Sequence, residues 1–130
     1  MTDIQAPIRL LLVDDEVGYV EVLSKRLTRR GFKVTTATSG SEAIRALRNW
    51  DFDAAVLDLK MEDMDGIEVL KVFKKMLPSM AVIMLTGHGS ERAARAGIEE
   101  GAHDYLTKPC SFEELLAKIR ETVAQKERST

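Results

Sequence analysis

Apolar runs short enough for single strands recur five times in this chain, as IRLLLV (8–13), FKVTTA (32–37), DAAVLD (53–58), AVIMLT (81–86) and HDYLT (103–107). Between them the hydrophobic period changes from that of a strand to that of a helix. Val17, Val20, Leu23 and Leu27 share one helical face, as do Ala43, Ile44 and Leu47, then Ile67, Leu70 and Phe73, and last Phe112, Leu115, Leu116, Ile119 and Val123. Residues 90–98 supply the remaining helix, which is rich in alanine and carries Gly97, so its grip on the core is expected to be weak. Gly31 reads as the stop of the first helix, and Ser39 with Glu42, like Ser111 with Glu114, has the spacing of a capping box. Near-continuous apolar strands alternating with helices predict an α/β fold. It is a doubly wound, five-stranded parallel sheet with right-handed crossovers and helices on both faces.

One domain is expected over residues 1–130, with its core at about 8–125 and short frayed ends. No apolar run approaches the roughly 18 residues needed to span a bilayer, and MTDIQAP has neither the basic start nor the apolar centre of a secretory signal. A cytoplasmic setting is therefore expected, in keeping with a single cysteine, Cys110. A net charge of -2 with both signs interspersed gives no basic patch, which argues against direct binding of nucleic acid.

The first strand runs into three consecutive acids, Asp14, Asp15 and Glu16. Like charges about 4 Å apart repel by about 4 kcal/mol at an effective dielectric of 20. Either a cation offsets that repulsion, or the side chains point apart in an ordinary turn. In open parallel sheets ligands bind beyond the carboxyl ends of the strands, at the point where strand order reverses. In a flavodoxin-like order, 2-1-3-4-5, strands 1 and 3 flank that point. Asp14 and Asp15 then converge with Asp58 from strand 3, Thr86 from strand 4 and Lys108 just after strand 5. Three acids, a hydroxyl and a lysine suit transfer of a phosphoryl group to an aspartate. Asp58 is the candidate nucleophile, Mg²⁺ or Mn²⁺ sits on the acids, Lys108 is a point charge, and Thr86 with the Gly87 N–H donates to phosphoryl oxygens. Singly, Lys108 also reads as a solvated surface lysine and Thr86 as an ordinary strand residue.

The chain resembles the receiver domain of bacterial two-component response regulators over about residues 8–125. VDDE (13–16), VLDLKMEDMDG (56–66), MLTGHG (84–89) and YLTKP (105–109) match in order and spacing. The resemblance implies a phosphoprotein of a phosphorelay in which Asp58 takes the phosphoryl group from a sensor histidine kinase or phosphotransfer protein. It further implies that Asp14, Asp15, Asp58 and the Lys60 carbonyl hold the metal and that Lys108 contacts the phosphoryl group. Thr86 and Tyr105 would form a switch pair, and the Lys108–Pro109 bond would be cis. The output face would comprise helix 4, strand 5 and helix 5, addressed to an unidentified output domain or target, and a phosphorylation-linked dimer is compatible with it. Such a domain catalyses only its own phosphorylation and dephosphorylation.

Two features depart from the family's usual pattern or tune it. Glu62 stands where relatives often have proline, so the loop is expected to be more mobile, while Lys60 and His88 occupy positions that tune phosphate lifetime or are plain loop residues. Competing readings are weaker. Dehalogenase-like phosphatases carry a second Asp two residues after the nucleophile, where this chain has Lys60, and a flavin phosphate would meet an acidic loop after strand 1. A degenerate receiver that only binds remains an alternative, and the chain reads equally as a stand-alone regulator or a piece of a longer protein. His88 and His103 lack zinc-site spacing, and Cys110 at a helix start has a reactive or an inert reading. Met76, Met80 and Met84 are expected to pack, and Trp50 to cover the end of the second helix.

Overall fold

The computed structural model describes residues 6–87 and 90–128. Strands and helices alternate strictly: β1 (Arg9–Val13), α1 (Val17–Arg29), β2 (Lys33–Ala37), α2 (Gly40–Asn49), β3 (Ala54–Asp58), α3 (Gly66–Met76), β4 (Ala81–Thr86), α4 (Glu91–Glu99), β5 (Asp104–Thr107) and α5 (Phe112–Arg128). All pairings are parallel and the order is β2-β1-β3-β4-β5. This is the flavodoxin-like arrangement expected, and the strand boundaries fall within one residue of those read from the sequence.

The central strands are buried along their whole length because alternate residues feed two separate cores. Leu11, Val13, Ala55, Leu57, Val82 and Met84 pack with Val69, Leu70 and Phe73 of α3 and Ala43, Ala46 and Leu47 of α2. Leu10, Leu12, Ala54, Val56, Ile83 and Leu85 pack on the other face with Val20, Leu23 and Leu27 of α1 and Leu115, Leu116, Ile119 and Val123 of α5.

Several local expectations need correction. Val17 is 55% exposed because it opens α1, before the helix has settled over the sheet. Met76 is 38% exposed and Trp50 61%; the Trp50 N–H bonds the Ala46 carbonyl and ends α2, but its ring covers little. α4 buries only Ala94 and Gly97, in line with the small hold on the core expected of it, but Gly97 itself serves packing. It is buried, and a Cβ there would collide with Met84 Sδ, so glycine lets α4 approach β4 closely. The Ser111–Glu114 box closes in both directions, at 3.1 Å each. At α2 only half of the box forms: Ser39 Oγ accepts the Glu42 N–H, while Glu42 Oε1 accepts the Thr38 N–H. Gly31, at φ +93°, stops α1 as expected, and Gly101, at φ +109°, does the same for α4.

Candidate functional site

The register of β1 against β3 pairs Val13 with Leu57. The next residues, Asp14 and Asp58, therefore come side by side, continuing the face of Leu12 and Val56. Asp14 is wholly buried and Asp58 nearly so, whereas Asp15 is half-buried. Oxygens of Asp14, Asp15 and Asp58 lie within 4.8 Å of one another. Three hard carboxylate donors at that spacing fit a hard divalent cation that keeps some of its water.

β5 brings the counter-charge. The Lys108 N–H bonds the Thr86 carbonyl at 2.7 Å, which carries the lysine over the sheet's carboxyl end, and the peptide to Pro109 is cis. Its ammonium lies 2.6 Å from Asp14 Oδ2, 3.0 Å from Glu16 Oε1 and 3.7 Å from Asp58 Oδ2. Burial works to lower the Lys108 pKa, but the hydrogen bonds to Asp14 and Glu16 and the charge of Asp58 outweigh it and raise it, so the lysine stays cationic. At Asp58 burial dominates. With the Asp14 carboxylate adding to it, and against the Lys60 N–H and the Lys108 charge, burial pushes the Asp58 carboxyl up to about 6.

The loop from β3 to α3 is fastened at several points. Asp58 Oδ1 accepts the Lys60 N–H at 3.1 Å, and Lys60 forms an isolated bridge with Asp65. Asp65 caps α3 through the Ile67 N–H at 2.9 Å. Gly66 lies against the Leu59 backbone, where a Cβ would come within 2.6 Å of the Leu59 carbonyl oxygen. Asp63 accepts from the Gly40 N–H, the Ser41 N–H and the Ser41 hydroxyl, and so caps α2 from outside. The Glu62 N–H, which proline would lack, donates to Asp15 Oδ2 at 3.3 Å. These bonds tie the loop to Asp15, α2 and α3 without proline.

Asp14, Asp15, Asp58 and Lys108 are thus brought together. Thr86 is buried at the end of β4, and its hydroxyl donates to the Leu106 carbonyl at 3.4 Å. Tyr105 is turned outward and 40% exposed. A Cβ on Gly87 would meet Ser90 Oγ at 3.7 Å, an ordinary contact, so packing among the described residues does not demand glycine there. His88 lies outside the described residues. His103 accepts the Val82 N–H at Nδ1, 3.3 Å away, as a strand-start residue would. Burial and Glu114 raise the Cys110 thiol, which fits its inert reading. Sequence reasoning gave no role to Glu16, Asp63 or Asp65; only the capping residue type of Asp65 ahead of a helix offered a signal.

A parallel sheet of this order with carboxylates and a lysine at its carboxyl end defines a class, and comparison with known proteins gives the family. The chain belongs to the response regulator receiver domain family, which it matches over residues 10–120. It is 40% identical over 119 residues to the transcriptional regulatory protein GlrR of Escherichia coli, covering 92% of this chain and 27% of that protein. Against the probable transcriptional regulatory protein TcrX of Mycobacterium tuberculosis it is 39% identical over 114 residues, 88% of this chain and 49% of that one. The chain therefore spans about a quarter to a half of these curated relatives. A CheY-like response regulator receiver domain protein from Methanospirillum hungatei superposes with a TM-score of 0.91 at 31% identity, over 95% of this chain and 99% of that one. Receiver domains are signalling domains of two-component systems, and no described helix is long and apolar enough to cross a membrane.

Proposed function

We propose that the chain is a single phosphorylatable receiver domain over residues 1–130, working in the cytoplasm, that takes a phosphoryl group on Asp58 from a sensor histidine kinase or phosphotransfer protein. The observation that carries this reading is the convergence of Asp14, Asp15 and Asp58 with Lys108 at 3.7 Å from the Asp58 carboxylate. An Asp58 oxygen attacks phosphorus, the bond from phosphorus to the donor breaks, and the donor leaves with the electron pair. Hydrolysis reverses the state: water attacks phosphorus, the bond to Asp58 breaks, and the carboxylate is restored. These are the only reactions assigned to the domain.

Asp14, Asp15, Asp58 and the Lys60 carbonyl would hold Mg²⁺ or Mn²⁺, which when bound offsets the charge of the carboxylates and of the phosphoryl oxygens. Lys108 supplies the facing positive charge, and the Gly87 N–H and the Thr86 hydroxyl donate to the remaining oxygens. For that the Thr86 hydroxyl leaves Leu106, and Tyr105 turns inward as its partner in the switch. The face of α4, β5 and α5 then favours an output domain, a target protein or a second phosphorylated copy by a few kcal/mol. Lys60 and His88 shape the path of the attacking water, and alanine at either position is expected to change the half-life of the phosphoryl group.

Intact-protein mass spectrometry after incubation with acetyl phosphate, with and without Mg²⁺, tests the reading on the native chain and on Asp58→Asn. A gain of one phosphoryl group that needs the metal and vanishes in the variant supports it. No gain under any condition leaves a degenerate receiver that binds without reacting.

A further inference from the structure

Glu16 is the N-cap residue of α1, yet its carboxylate accepts none of the helix's first N–H groups. Those groups and the positive end of the helix attract an acid placed there. The carboxylate turns instead to Lys108, 92 residues on and 3.0 Å away. Three residues further along α1, on the same side of the helix, the Tyr19 ring faces the same ammonium with its centroid at 4.9 Å, a cation–π distance. Two side chains from the first turn of α1 therefore converge on one charge. An ammonium has three N–H donors; Asp14 and Glu16 engage two of them, and Asp58 at 3.7 Å lies beyond hydrogen-bond reach.

We propose that Glu16 and Tyr19 form a resting dock for the Lys108 ammonium, one that holds it short of Asp58 and competes with a phosphoryl group there. The proposal rests on the reading of Asp58 as phosphoacceptor. Phosphoryl oxygens on Asp58 draw Lys108 forward, and its contact with Glu16 lengthens or breaks. The Glu16 carboxylate also repels those oxygens directly. Both effects have one sign, so Glu16 favours the unphosphorylated state. Glu16 and Tyr19 are positioning residues, since they act through Lys108 and touch no reacting atom.

The test is the ratio of phosphorylated to unphosphorylated chain at steady state, read by intact mass at sub-saturating acetyl phosphate and saturating Mg²⁺. Glu16→Gln is expected to raise that ratio roughly two- to fivefold, the range supported by an ion pair whose carboxylate is largely exposed. Tyr19→Phe keeps the ring and should match the native chain, while Tyr19→Leu should give a smaller rise. In a Lys108→Ala background the gain from Glu16→Gln should disappear. An equal gain in both backgrounds would mean that Glu16 acts by through-space repulsion alone, and the dock would be overturned; so would no change, or a fall, in Glu16→Gln.

Where Lys108→Ala takes up too little phosphoryl group to quantify, the ¹⁵N resonance of the Lys108 ammonium in the unphosphorylated protein decides. Glu16→Gln must shift it and speed its proton exchange, and an unmoved resonance overturns the dock. A native chain that accepts no phosphoryl group would overturn the reading of Asp58 instead, and the resonance would still judge the dock by itself.

Discussion

Lys108 and Asp14, 94 residues apart in the chain, form a 2.6 Å ion pair in which the carboxylate is wholly buried. The lysine's short contact goes to Asp14, and Asp58 is left 3.7 Å away with its proton held up to a pH of about 6. The acid that is proposed to do the chemistry is thus the less compensated of the two buried ones.

This has a measurable cost. The folded state holds the Asp58 proton more tightly than the unfolded chain, whose carboxyl titrates near 3.8. The group therefore favours folding fully below about pH 3.8 and ceases to do so as the pH rises through about 6. Asp58→Asn, neutral throughout, is expected to be about 2 kcal/mol more stable than the native chain at pH 7.5 in a chelator. Urea unfolding should show most of that gap closing by pH 4.5, and Mg²⁺ narrowing it at pH 7.5. A gap independent of pH would point to packing instead of charge.

The same proton competes with a cation for Asp58. Titration calorimetry should find Mg²⁺ binding about fourfold weaker at pH 5.5 than at pH 7.5, since a carboxyl titrating near 6 is largely protonated at the lower value. Asp58→Asn should bind more weakly at both and lose this dependence. An affinity in the native chain that is flat across the range would remove Asp58 from the ligands.

Gly97 is expected to be intolerant of a methyl group. Gly97→Ala forces a Cβ into the buried Met84 and should cost about 2 kcal/mol by overpacking. Gly18, inside α1, has open space at its Cβ position, and Gly18→Ala should instead be neutral or stabilising by about 0.5–1 kcal/mol. Paired urea denaturation curves would check both signs.

Asp63 fastens the loop that follows Asp58 to α2 through three hydrogen bonds. Asp63→Ala should lower the Tm by a few degrees in differential scanning calorimetry and speed hydrogen exchange at the Gly40 and Ser41 amides. Unchanged exchange there would show that solvent replaces the carboxylate without loss.

Much of the fold is legible in the sequence because β1, β3 and β4 are buried on both faces, which leaves apolar runs that no amphipathic helix would show. Asp14, Asp15, Asp58, Thr86 and Lys108 are legible for a related reason: parallel strands bring all their carboxyl ends to one edge. What stayed hidden depends on partners far away in sequence. Asp63 meets Gly40, Glu16 meets Lys108, and Gly97 meets Met84, and no local period encodes such pairs. Val17 misled for a subtler reason, since periodicity assigns a face without saying where along a helix the sheet begins to cover it.

Trp50, the only tryptophan in the chain, is 61% exposed where α2 ends. It borders a cleft with Arg9 and Lys33, the first residues of β1 and β2, at the edge of the sheet opposite the carboxylates. Its fluorescence is therefore expected to be that of a water-facing indole, at the wrong end of the molecule to register a cation or a phosphoryl group at the proposed site. A tryptophan-based assay of this domain needs an indole placed near Asp58; Trp50 is expected to follow little beyond the integrity of the amino end of the sheet.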